Sequence, residues 1–296
     1  MITRRKVLAG LGGAAATAIG FAGYAFGIEP LFRLSITRYR IRPLNWPKGF
    51  SLRIVVLADL HACEPYMPAT RIADLVRVAN GLGGDLITLL GDFTAGHRFV
   101  RRTLLDAEWA APLSHLQAPL GVHAILGNHD WWHDEMAQKN GAGPISARRA
   151  LEGRGIPVYE NAVVRLVHKG QAFWLAGLAD QLAIELGYGR YRGLDDMAGT
   201  LARIDDDAPV ILLAHEPDIF TEVPARVALT LSGHTHGGQV RLFGYSPVVP
   251  SRFGNRFAYG HVVEDGRNLV ISGGLGCSIM PVRFGVPPEI VVVDLA

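Results

Sequence analysis

Five times along this chain a short apolar run ends in a polar cluster. Arg53 to Ala58 leads into Asp59-Leu60-His61, and Asp85 to Leu90 into Gly91-Asp92. Gly121 to Leu126 leads into Gly127-Asn128-His129-Asp130, and Val210 to Ala214 into His215-Glu216. Val227 to Leu231 leads into Ser232-Gly233-His234-Thr235-His236-Gly237-Gly238. Runs this short, and this rich in Val, Ile and Leu, read as buried strands. Each one therefore delivers a carboxylate, imidazole or amide to the carboxyl end of a strand, where α/β sheets place their ligands. Gathered together, such groups suit a pair of divalent metals. Alone, Asp59 and Asn128 would read as turn residues and His215 as a hydrogen-bonded core histidine. Two imidazoles in one glycine turn, His234 and His236, are harder to explain structurally.

The rest of the chain is patterned around these runs. Ala69 to Leu82 has helical spacing, with Ile72, Leu75, Val76 and Ala79 on one face. Val100 to Leu116 reads as a second helix, which makes a β-α-β-α-β series of parallel strands with right-handed crossovers. Ser35 to Arg42 alternates apolar and basic residues like a half-exposed strand. Ile145 to Glu152 and Leu194 to Ile204 read as helices. Ala162 to His168 and Gln171 to Gly177 read as a hairpin around Lys169-Gly170. The expected fold is one α/β domain over residues 31–296, two mixed sheets packed as a sandwich and flanked by helices.

Residues 1–30 stand apart. Thr3-Arg4-Arg5-Lys6-Val7-Leu8 resembles a twin-arginine export signal, and Val7 to Ile28 carries no charge. About 22 residues make roughly 33 Å of helix, enough to span a bilayer. No clean A-x-A cleavage site follows, so removal and retention are both open. With Arg4, Arg5 and Lys6 held inside, the domain faces the outside, in the periplasm or at the cell surface. A formal charge of +2 gives no bias toward nucleic acid. No phosphate-cradling P-loop is present. Cys63 and Cys277 are too few for a disulfide framework, and both a single bridge and two free thiols remain open.

In order, the polar clusters spell D-x-H, G-D, G-N-H-D, a lone H, and G-H-x-H. This series resembles the calcineurin-like metallophosphoesterases over about Ile36 to Leu295. Gly237-Gly238-Gln239-Val240, Gly274-Leu275-Gly276-Cys277 and Pro281 to Glu289 look like a bacterial branch of exported or membrane-linked phosphodiesterases, related to lipid-A pyrophosphatases. The resemblance implies that Asp59, His61 and His236 bind one metal. Asn128, His215 and His234 would bind another, and Asp92 would bridge them. The ions would be Mn, Fe or Zn, with a hydroxide between them as the nucleophile. His129 would protonate the leaving oxygen, with Asp130 orienting its other ring nitrogen.

The implied reaction is hydrolysis of a phosphodiester or pyrophosphate bond, in a small-molecule or lipid-linked substrate. Its alternatives are a UDP-2,3-diacylglucosamine hydrolase, a protein phosphatase, and a non-catalytic membrane-tethered binding module. Every catalytic-type position is filled, which favours an enzyme. Arg283, His97 and Arg98 are expected in loops near the metals, able to hold a phosphate. Arg33, Arg38, Arg40 and Arg42 follow the apolar segment and either face anionic headgroups or are simply solvated.

Overall fold

A computed structural model describes residues 3–97 and 99–296. In chain order its main strands are β1 (Ser35–Ile41), β2 (Leu52–Leu57), β3 (Leu86–Leu90), β4 (Val122–Ile125), β5 (Ala162–His168), β6 (Gln171–Gly177), β7 (Val210–Leu213), β8 (Val227–Ser232), β9 (Gly260–Glu264), β10 (Arg267–Ile271) and β11 (Glu289–Leu295). One sheet has five strands in the order β1-β11-β2-β3-β4, and the other has six in the order β9-β10-β8-β7-β6-β5. The strands that lead into the polar clusters, β2, β3 and β4 in one sheet and β7 and β8 in the other, run parallel within their sheets. Their carboxyl ends therefore lie on one side. Antiparallel pairs occur where β11 meets β2 and at the edge hairpins.

Period-two alternation builds the layers. Ile54 and Val56 of β2 point between the sheets, where they meet Phe173, Leu175, Ile211, Leu213, Leu229 and Leu231. Val55 and Leu57 point the other way, onto Ile72, Leu75 and Trp109. The longer helices are α1 (Arg4–Gly23), α2 (Ala69–Gly81), α3 (Asp106–Leu113) and α4 (Ser146–Glu152). The outer face of the second sheet, with Leu212 and Ile271, is covered by Phe220 and Phe257. This is the expected sandwich of mixed sheets flanked by helices.

Two helices are shorter than their spacing predicts. The one expected over Val100 to Leu116 begins at Asp106, because Arg102–Thr103 pairs as a strand with Cys63–Glu64. The Glu108 carboxylate then reaches back to accept from the Leu105 amide, closing the helix start. The one expected over Leu194 to Ile204 is helical only over Met197–Leu201, where Asp196 accepts from the Gly199 amide.

The apolar N-terminal helix docks by its last turns only. It passes through a π-helical stretch, Tyr24–Ile28, into Glu29–Phe32. The Glu29 amide bonds the Tyr24 carbonyl there, and Pro30 has no N–H for the Ala25 carbonyl. That carbonyl instead accepts from the Arg283 amide at 2.9 Å. The buried Glu29 carboxylate accepts from the Val286 amide at 2.9 Å, and Phe284 packs on Phe21 and Tyr24.

From this junction β1 runs parallel to β11, pairing Ser35 with Glu289. The Glu289 amide bonds the Gly274 carbonyl, and Gly274 lies against Asp59. The helix thus joins the sandwich at the end where the polar clusters gather. β1 leads away from that end, so at about 3.3 Å per residue Arg42 lies roughly 23 Å along the strand direction from Ser35. The four arginines do not share one level.

Candidate metal centre

The loops after the strands are held in conformations that side chains seldom adopt. Asp59, His61, Asp92, His234 and His236 have φ of 55°, 46°, 57°, 67° and 51°. Left-handed backbone at a non-glycine residue is unfavourable and persists where surroundings over-determine it. Here the surroundings are neighbouring loops. The Asp59 amide bonds the Gly91 carbonyl at 3.0 Å, the His61 amide bonds that of Asp92 at 2.9 Å, and the Gly233 amide bonds that of His215 at 3.0 Å. Each loop's shape is fixed by the loop on the next strand.

These loops bring the predicted residues together. Ligand atoms of Asp59, His61, Asp92 and His236 lie within 4.8 Å of one another, as do those of Asp92, His215 and His234. Asp92 belongs to both groups. Asn128 joins the second, its Oδ1 lying 2.9 Å from His234 Nδ1. His61 Nε2 and His236 Nε2 are 3.0 Å apart, and Asp92 Oδ2 lies 3.5 Å from His61 Nε2 and 3.2 Å from His215 Nε2.

The donor set fits divalent cations. Asp59 Oδ2 and His215 Nε2 are buried without a hydrogen-bond partner, which is unusual for interior polar atoms. His61 Nδ1 lies 3.0 Å from the Thr94 carbonyl, and His215 Nδ1 faces that of Leu90. A ring N–H given to a carbonyl leaves Nε2 free to ligate. Burial pushes the His61 imidazole down to about 3 and holds His236 well below its usual value. Both are neutral, as ligation requires. Burial also pushes Asp59 up to about 7, with the charge of Asp92 adding to it. Burial opposes charge on Asp92 too, but the imidazoles of His215, His129 and His61 hold it well below the carboxylate range.

His129 lies beside both groups. Its Nε2 is 3.1 Å from Ser278 Oγ, and its ring stands edge-on to His61 with centroids 4.9 Å apart. Gly96 lets the ring lie close, since a Cβ there would be 2.2 Å from His129 Nδ1. The His129 amide donates to Asp92 Oδ1 at 2.8 Å, which turns Asp92 Oδ2 inward. Trp132 and His133 flank the ring.

Asp130 is not turned toward His129. Its Oδ2 accepts from the amides of Asp92 and Gly127, and its Oδ1 from those of Phe93 and Thr94. The expected orienting contact is replaced by a clamp on two loops. In a helical turn the third residue reaches back to the start, and here that residue is Asp130.

Arg283 is not available to substrate either. It is fully buried, gives Nε and Nη2 to the Gly276 carbonyl and Nη1 to that of Val286, and sets Nη2 3.2 Å from His236 Nδ1. His97 is buried against Tyr66, with Nε2 3.8 Å from Cys63 Sγ. Arg98 lies outside the described residues. Cys63 and Cys277 are both buried, free thiols.

The pattern missed Ser278, His133 and an acid pair. Glu216 Oε1 lies 4.0 Å from His234 Nδ1, and burial, together with the charge of Glu216, pushes Asp180 well above the carboxylate range. Glu216 follows His215 directly and offered a signal. Asp180 and Ser278 stand in no motif.

The sequence model of the calcineurin-like phosphoesterases matches residues 52–238, so the chain belongs to that family and is a phosphoric ester hydrolase. It is 32% identical to "Uncharacterized metallophosphoesterase YkuE" of Bacillus subtilis, over 99% of this chain and 98% of that one. It is 28% identical to "Phosphodiesterase YaeI" of Escherichia coli, over the whole of both. It is also 30% identical to the "Transmembrane protein with metallophosphoesterase domain" of Bos taurus, over 82% of this chain and 53% of that one. Together with the paired ligand groups, the family implies a dinuclear metal site.

The clamp can be tested directly. In Asp130→Asn an amide NH₂ must face two backbone donors that now meet a carboxylate oxygen. The variant should lose about 2–4 kcal/mol of stability in urea denaturation. A midpoint equal to the parent's, with only the pH–rate profile altered, would instead point to an orienting role on His129.

Proposed function

We propose that the protein hydrolyses a phosphodiester or pyrophosphate bond in a membrane-linked substrate, on the exported face of the membrane. The observation that carries the reaction is one carboxylate, Asp92, shared by two groups of buried ligands with His129 beside them. Asp59, His61 and His236 would hold one cation, and Asn128, His215 and His234 the other. Cations held there would supply Lewis acidity to a phosphoryl oxygen and to a water. Mn, Fe and Zn suit a nitrogen and oxygen donor set without thiolate. The membrane link is supported by the helix Gly10–Phe32, which is long and apolar enough to cross a bilayer, and by the transmembrane relative.

The chain's own residues supply the proton. Burial pushes His129 down to about 4, so it rests neutral. An anionic phosphoryl group arriving beside it favours the imidazolium and makes it a donor to the departing oxygen. Ser278 keeps the ring aimed, and Trp132 and His133 exclude water from one side.

Asp92→Asn should lose activity and both metals, because two cations left with a neutral bridge repel one another less compensated. Elemental analysis checks this, and two tightly held metals in the purified variant would refute the bridge.

His129→Ala should keep its metals and lose about 10²–10⁴-fold in rate on substrates with poor leaving groups. It should lose much less on a nitrophenyl ester. Equal losses on both would remove the acid role.

Changing both Arg4 and Arg5 to Lys should block export of a tagged chain, since twin-arginine recognition reads geometry beyond charge. Fractionation decides. Export of both versions would reduce the segment to an ordinary signal or anchor. Retention of both inside would move the reading to the UDP-linked cytoplasmic substrate.

A further inference from the structure

Two exposed loops stand between the base of the N-terminal helix and His129. In the first, Leu242 and Tyr245 exchange backbone hydrogen bonds of 2.9 Å across a tight turn. Phe243 at its tip is as exposed as in an extended chain, and Val248 is 72% exposed. The second carries Ile279, 70% exposed, and Met280. Single exposed apolar residues are ordinary, but clusters mark a surface that meets something apolar.

Gln239 ties these loops together. Its side chain donates to the Met280 carbonyl at 3.1 Å and accepts from the Ser278 amide at 2.6 Å. Its carbonyl accepts from the Phe284 amide at 2.8 Å, and the Phe284 carbonyl accepts from the Arg241 amide at 2.8 Å. Phe284 packs on Phe21 and Tyr24 of the helix, while Ser278 touches His129. The apolar tips, the helix base and His129 therefore share one end of the sandwich.

The neighbour fits a bilayer. Residues 242–249 and 277–282 carry no charge, and Arg241 and Arg252 flank the first loop. Arginine stems at the edge of an apolar surface suit the headgroup level. The adjoining helix is only 6% buried over its apolar window, so the domain does not cover it.

We propose that the loops around Phe243 and Ile279 enter the lipid interface, so that the side of the metal centre bearing His129 faces the bilayer and takes a phosphodiester from the headgroup layer. This rests on the membrane-linked reading above. The helix alone would tether the domain at any angle. The loops set the angle.

Cys63 and Cys277 are buried, so a fluorophore sensitive to polarity can be attached at a single new cysteine in the full chain. Phe243→Cys and Ile279→Cys report on the loops, and Leu44→Cys, 89% exposed beyond the far end of β1, is the control. The proteins are reconstituted in vesicles of equal parts phosphatidylcholine and phosphatidylglycerol. Labels at 243 and 279 should shift to the blue and be quenched by spin-labelled lipid, and the label at 44 should do neither. If all three labels remain wet and unquenched, no lipid contacts this face and the proposal fails. A surface reserved for a protein partner would give that result.

Phe243→Ser adds the catalytic arm. Withdrawing a phenyl ring from apolar surroundings is worth about tenfold or more in an equilibrium, so turnover of a vesicle-borne phosphodiester should fall by roughly that factor. Turnover of bis-nitrophenyl phosphate in solution should hold. Inserted labels without any turnover of vesicle lipid would uphold the docking surface and defeat the lipid-substrate reading alone.

Discussion

The structure depends on keeping one buried carboxylate charged. Asp92 lies among the imidazoles of His61, His129 and His215, far from water, and a charge there is tolerated only if compensated. Its Oδ1 takes the His129 amide, and its Oδ2 faces two histidine nitrogens. Burial opposes charge on His215, yet the carboxylates of Asp92, Glu216 and Asp59 outweigh it and hold its pKa well above the usual value. Cations in the two ligand groups would replace that proton with a larger charge, taking the His215 Nε2 lone pair it frees and the one that Asp59 Oδ2 leaves unused.

That requirement explains why the loops are strained and why the strain survives. A ligand at the end of a parallel strand must turn back toward its neighbour's loop, and the left-handed conformation does this in one residue. Asp130 then closes the arrangement by accepting from four amides on two loops. Asp180 lies beside Glu216, and burial together with that neighbour's charge favours the protonated form of Asp180. This keeps negative charge near the second group without leaving two bare carboxylates in contact.

What could be read from sequence follows the range of the interactions. Strands β2, β3, β4, β7 and β8 announce themselves because both faces are buried, so their runs are continuous and their ends abrupt. The hairpin of β5 and β6 was legible over Ala162–His168 and Gln171–Gly177, since turn and alternation are local. The ligands were legible because each sits at a fixed offset from its strand. The role of Asp130 was not, because its partners Phe93 and Thr94 lie more than thirty residues away and are backbone atoms that no residue type reveals. Arg283 misled for the opposite reason. A charged residue in a loop normally seeks solvent, yet two carbonyls and an imidazole take up this guanidinium inside.

Arg283 also links the two halves of the molecule. Its amide holds the Ala25 carbonyl that Pro30 leaves without a partner, and its guanidinium reaches His236 and Gly276. Gly276 in turn bonds Asp59 through its amide. The base of the apolar helix is therefore two residues removed from the ligands of one metal group. Cleavage before residue 30 would strip Arg283 of Ala25 and Val286 of Glu29, exposing Phe284 and freeing the segment that backs His236. The buried Glu29 and the redirected Ala25 carbonyl make the base of this helix part of the wall behind His236.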